Sequence, residues 1–129
     1  MSNDLRSPLS RARGLGSAKD GVHHFWVQRV SALALVPLSL WFVFSIAKLA
    51  TGNTSYAALA YWISAPSVAV TLVLFLAATL YHSMLGVQVV IEDYVAAPAS
   101  KLTVLMLNKF VHAIAAAAGI FAVLKIALA

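Results

Sequence analysis

The sequence predicts an all-α membrane protein built from three transmembrane helices in an antiparallel bundle, on three observations. Hydrophobic residues make up 62% of the 129 residues and charged residues only 10%, outside the balance of a soluble domain. Residues 49–91 contain no Asp, Glu, Lys or Arg. Three apolar segments match the ~20 residues needed to cross a bilayer core, and none alternates as barrel strands do. Hydrocarbon offers no partner to a free N–H or C=O, so each span must close its own hydrogen bonds as a helix.

The first span covers about 25–50, FWVQRVSALALVPLSLWFVFSIAKLA, with 18 uncharged residues between Arg29 and Lys48. Pro37 sits in its middle, where a missing N–H predicts a kink. TGNTS at 51–55 reads as a polar turn, and Tyr56, Tyr61 and Trp62 suit an interfacial aromatic belt. Pro66 favours a new start. The second span covers about 67–91 and is ended by Glu92 and Asp93. The linker DYVAAPASK is short, so the third span, about 102–128, returns antiparallel beside the second.

Charge sets the expected orientation. Arg6, Arg11, Arg13, Lys19 and Arg29 precede residue 30, Lys48 lies near the first loop, Lys101 and Lys109 near the second, and Lys125 near the C-terminus. The N-terminus and the loop after the second span are expected on the cytoplasmic or matrix side, with the C-terminus opposite. Residues 1–24 form a basic tail and 25–129 the membrane unit. The net charge of +5 belongs mostly to that tail, which fits lipid headgroups and excludes a nucleic-acid patch. The chain has no cysteine, which excludes a thiolate-held iron–sulfur cluster or a structural zinc. The first 24 residues have no apolar h-region, so a cleaved signal peptide is not expected.

Polar groups at membrane depth are costly and usually face protein, water or a cofactor. His82 lies 11 residues before Asp93, about 16 Å along a helix and within ~20° of the same face. Ala78 and Gly86, one turn to either side, let a bulky group approach. Two readings stand for His82: an axial nitrogen for haem iron, or a hydrogen bond to a neighbouring helix. His112 reaches about the same depth on the returning helix, but the short linker argues against a haem clamped between two spans of one chain, leaving packing as its reading. Arg29 is either a snorkelling cation or the partner of a carboxylate such as a haem propionate. His23, His24 and Gln28, at the same end, either carry protons or bind headgroups. Asp93 and Tyr94 form either a solvated helix end or a quinone contact, with the phenol donating to a carbonyl and the carboxylate relaying a proton. A proton or solute path through His82, Asp93 and Arg29 is the alternative from another class, and a purely structural three-helix partner is a third.

Two blocks, RGLGSAKDGVHHFWVQRVSA (13–32) and HSMLGVQVVIEDYV (82–95), resemble the smaller, D-type hydrophobic membrane anchor of succinate dehydrogenase, respiratory complex II. The basic tail and three spans are similar as well, so the resemblance covers most of the chain, although the third span matches only in hydrophobicity. The resemblance implies that His82 is an axial ligand of haem b, whose opposite ligand is a histidine of a C-type cytochrome b anchor subunit. It implies that Tyr94 hydrogen-bonds ubiquinone beside Asp93, and that Arg29, six residues after His23, lies near the haem propionates and the quinone pocket. A flavoprotein and an iron–sulfur subunit would complete the enzyme, working in the tricarboxylic acid cycle and aerobic electron transport at a bacterial or mitochondrial inner membrane. The chain itself would be a non-catalytic subunit. The sequence departs from the family pattern at His24, where an acidic residue can stand, at Glu92, an added charge, and at His112, which matches no family ligand position.

Overall fold

The computed structural model describes residues 7–9, 20–52 and 54–129; Arg6, Arg11, Arg13 and Lys19 of the basic tail lie outside them. Four helices follow in order among the described residues: α1 (Asp20–Thr51), α2 (Tyr56–Ser64), α3 (Pro66–Tyr94) and α4 (Pro98–Ala127). The three long ones have the length and apolarity to cross a membrane, and the chain is an integral membrane protein.

Helix ends follow local chemistry. Ala65 and Ala97 are extended (ψ 122° in each), as the residue before a proline prefers. Pro66 and Pro98 then open α3 and α4, where a missing N–H costs nothing. Ser55 caps α2, its hydroxyl accepting from the Ala58 N–H at 3.2 Å.

The helices outrun the apolar segments. α1 begins at Asp20 and carries residues 20–24 of the expected tail as helix, while α3 runs through Glu92 and Asp93 to Tyr94 and places all three in its final turn. Leaving hydrocarbon does not end a helix, because the backbone ladder continues in water as long as no breaker intervenes. For the same reason α4 starts at Pro98 rather than near 102, leaving only residues 95–97 as a linker. α1 remains helical across Pro37.

α3 is central. It packs against α1 on one side and α4 on the other, with α2 lying against α3 and α4. The contacting pairs set antiparallel registers: Phe42 stacks on Phe75 at 4.8 Å and Ser31 meets His82 between α1 and α3. Between α3 and α4, Asn108 meets Met84 and His112 meets Ser83, and a Cβ on Gly119 would stand 3.4 Å from Leu76. Trp41 stacks on Trp62 at 6.0 Å and ties α2 to α1.

Burial is thin. Among the described residues only Ile63, Ala69, Leu72, Leu85, Ile91 and Asn108 are buried, and none of these is in α1. Leu33, Val36, Leu40, Val43 and Phe44 of α1 are exposed, a face suited to lipid or other membrane helices and not to water.

Candidate cofactor and quinone site

His82 stands at position 17 of the 29 residues of α3, close to its middle. Its Nδ1 lies 3.0 Å from Ser31 Oγ of α1, and Ser31 Oγ donates to the Gln28 carbonyl at 2.9 Å. Among the described residues the other ring nitrogen, Nε2, has no hydrogen-bond partner. A Cβ built on Gly86, one turn along, meets nothing within 4 Å, so this side of α3 is open to another group. Ala78 behaves differently from the expectation. It borders the α3–α4 groove together with His112.

His112 is satisfied within the chain. Its Nδ1 is 2.9 Å from the Asn108 carbonyl, to which it donates, and its Nε2 lies 3.2 Å from Ser83 Oγ, from which the neutral ring accepts. The groove beside it, about 500 Å³ and lined by Ala77, Ala78, Tyr81, Met84, Ala113 and Ala116 among others, thus contains no free histidine nitrogen. Asn108 is buried and donates to the Met84 carbonyl at 3.0 Å. Asn108 and Ser83 escaped the sequence reading. Asn108 was detectable as an amide inside an apolar span, four residues before a histidine.

Arg29 is deeper than its position near the start of the apolar segment suggested. It is nine residues into α1 and two before Ser31, about 3 Å from the depth of the His82 contact. It therefore sits near the level of His82 and well above the end of α3. The guanidinium lies 4.2 Å from the centre of the Phe25 ring, so the side chain runs back toward the helix N-terminus. That direction is the snorkelling one, and it also carries a cation–π contact.

The end of α3 divides in two. Glu92 is tied down: Gln88 Nε2 donates to its carboxylate at 2.8 Å, and Lys101 Nζ donates to its backbone carbonyl at 2.8 Å. A lysine on the last carbonyls is a normal helix C-terminal cap. Asp93 and Tyr94 are exposed and form no side-chain hydrogen bond among the described residues, with Tyr94 84% exposed. A cavity of about 470 Å³ next to this end is lined by His23, His24, Gln88 and Glu92 among others, and His24 Nε2 is buried without a partner among the described residues. The sequence-predicted residues are thus spread along the span: His82 at mid-depth, Asp93 and Tyr94 at the rim, and the Arg29 guanidinium, turned back to Phe25, between those levels. Unbroken helix holds His82 and Asp93 about 16 Å apart.

Among the described residues no cluster of three or more His, Cys, Asp or Glu could hold a bare metal ion. Haem sets a different requirement, because the macrocycle supplies four donors and the protein adds axial ones. One imidazole nitrogen without a partner among the described residues, one helical turn from an open glycine, fits that requirement.

A profile of succinate dehydrogenase/fumarate reductase transmembrane subunits matches residues 3–122. The chain belongs to the succinate dehydrogenase/fumarate reductase transmembrane subunit family. Relatives named succinate dehydrogenase hydrophobic membrane anchor subunit agree with this placement. The Rickettsia bellii protein is 35% identical over 123 residues, 95% of this chain and 97% of its own length. The Rickettsia conorii protein is 35% identical over 96 residues, 74% and 75% of the two lengths. The Paracoccus denitrificans protein is 34% identical over 112 residues, 87% and 85%. Membership makes this chain a membrane anchor subunit of that family, as the two sequence blocks implied, and removes the ground for the transporter alternative.

Proposed function

We propose that this anchor subunit supplies His82 as one axial ligand of a haem b shared with a second, C-type anchor chain, and that it forms one wall of a ubiquinone-reduction site. The observation that carries the haem half is the asymmetry of the His82 ring: Nδ1 is held by Ser31 while Nε2, near mid-span and one helical turn from the open Gly86, has no partner among the described residues. A ligating histidine needs this arrangement, one nitrogen fixed and the other carrying its lone pair outward. Arg29, with its planar fork of donors, would pair with a propionate. Bound haem would supply a one-electron store between the enzyme's surface and the membrane interior.

The quinone half rests on the rim. Tyr94 has an unengaged phenol that can donate to a quinone carbonyl, and Asp93 beside it can pass protons from water as the quinone is reduced. In the proposed orientation this end of α3 and the chain's N-terminus lie on the cytoplasmic or matrix side, following the lysines and arginines. A flavoprotein oxidises succinate and an iron–sulfur subunit hands electrons to the membrane face, and this chain anchors that pair without a catalytic residue for succinate. The complex works in the tricarboxylic acid cycle and aerobic electron transport.

The test uses the purified, assembled complex. A reduced-minus-oxidised visible spectrum shows a b-type band; its absence would sink the haem assignment. For the quinone role, Tyr94→Phe is expected to lower quinone reductase activity roughly 10²- to 10⁴-fold if its proton is transferred in the rate-limiting step, and less if it only binds. Succinate-to-dye activity should persist. Unchanged quinone turnover contradicts the role.

A further inference from the structure

We infer that Ser31 fixes the tautomer and donor strength of His82, making it a positioning residue for the haem ligand; this rests on the ligand reading just proposed. Ser31 Oγ has two neighbours, the Gln28 carbonyl at 2.9 Å and His82 Nδ1 at 3.0 Å. A hydroxyl has one hydrogen, and a carbonyl can only accept. The hydrogen of Ser31 therefore goes to Gln28, and the remaining lone pairs of Oγ face His82. Nδ1 then carries the imidazole hydrogen and donates it, which in the neutral tautomer leaves the free lone pair on Nε2. The proton count follows from the geometry: Nδ1–H donates to Oγ, and Oγ–H donates to the carbonyl.

Two consequences follow for an iron bound at Nε2. The run of hydrogen bonds points one way and polarises each member, which draws electron density from Nδ1–H into the ring and strengthens Nε2 as a donor. The ring plane is also fixed between α1 and α3, because its contact reaches across helices to a residue 51 positions away in sequence. His112 provides the contrast at the α3–α4 contact, on the other side of α3, since its bonds engage both nitrogens. Serine is well suited to the role. Hydroxyls inside apolar helices commonly bond the carbonyl one turn back, and doing so orients the lone pairs outward.

The experiment compares Ser31→Ala, Ser31→Thr, Ser31→Val and His82→Ala in the assembled complex. It reads haem retention during dilution in detergent and the haem midpoint potential by redox titration. Ser31→Ala is expected to keep a b-type band, to bind haem roughly 10- to 100-fold more weakly, the range for outer-shell partners of metal ligands, and to show a higher potential, because the weaker donor stabilises ferric iron less. Ser31→Thr keeps the parent values, while Ser31→Val, of the same shape without the hydroxyl, follows Ser31→Ala. The inference is overturned if Ser31→Ala leaves both readings at the parent values, or if Thr and Val shift alike, which would make side-chain volume the cause. It is also overturned if Ser31→Ala fails to assemble while His82→Ala assembles, which would assign Ser31 to packing. A different result, His82→Ala retaining low-spin bis-histidine haem, rejects the ligand reading itself.

Discussion

His82 and His112 sit at nearly the same depth on adjacent helices, each within reach of a serine on a neighbouring helix, yet the two faces of α3 treat them differently. Toward α4, His112 bonds Asn108 and Ser83, while Asn108 bonds Met84. That cluster is closed and behaves as a clamp between helices. Toward α1, Ser31 holds one nitrogen of His82, the other has no partner among the described residues, and Gly86 one turn along leaves space. In hydrocarbon an unpaired polar atom is costly, so the α1 face has the character of a half-built site and the α4 face that of a finished joint. Histidine content alone could not separate them; the count of engaged ring nitrogens does.

The largest expected effect that sharpens this contrast comes from filling the open side. Gly86→Leu adds a side chain whose Cβ meets no neighbouring group within 4 Å among the described residues, so α3 should insert and fold normally. Overpacking of an occupied site costs about 1–3 kcal/mol, which corresponds to a roughly 5- to 150-fold loss of haem affinity, measured as haem per assembled complex. An unchanged haem content would show that nothing packs beside Gly86.

A smaller effect is expected on the closed face. Asn108→Ala removes the buried amide and its bond to the Met84 carbonyl, and interhelical hydrogen bonds in membranes contribute on average about 0.6 kcal/mol and up to about 1.7 kcal/mol. Denaturant titration of the detergent-solubilised complex should show a loss of this size, with the haem spectrum unaltered. A spectral change would mean that the two faces are coupled through α3.

Much of the fold was legible before any coordinates. Length, apolarity and the absence of charge between 49 and 91 force helices, because hydrocarbon leaves no other way to satisfy the backbone. The helix ends were less legible, since the apolar run marks where hydrocarbon stops, whereas the helix stops where capping fails. Pro98 was a readable start signal, and Asp20 was not. At the site, His82, Asp93 and Tyr94 stood out because ionisable groups and tyrosines near apolar runs are uncommon enough to notice. Ser31 did not, since serine is ordinary in membrane helices and only the α1–α3 register places it against His82. The level of Arg29 is not legible for the same reason: it depends on which α3 residue Arg29 faces, and the linear sequence does not state that.

The central claim is that His82, and not His112, offers a free imidazole nitrogen at mid-span. Reduced-minus-oxidised spectra of assembled complexes carrying His82→Ala or His112→Ala test it side by side. The expected result is loss of the low-spin b-type band with His82→Ala and its full retention with His112→Ala. The reverse pattern, the band surviving His82→Ala and vanishing with His112→Ala, would contradict the account.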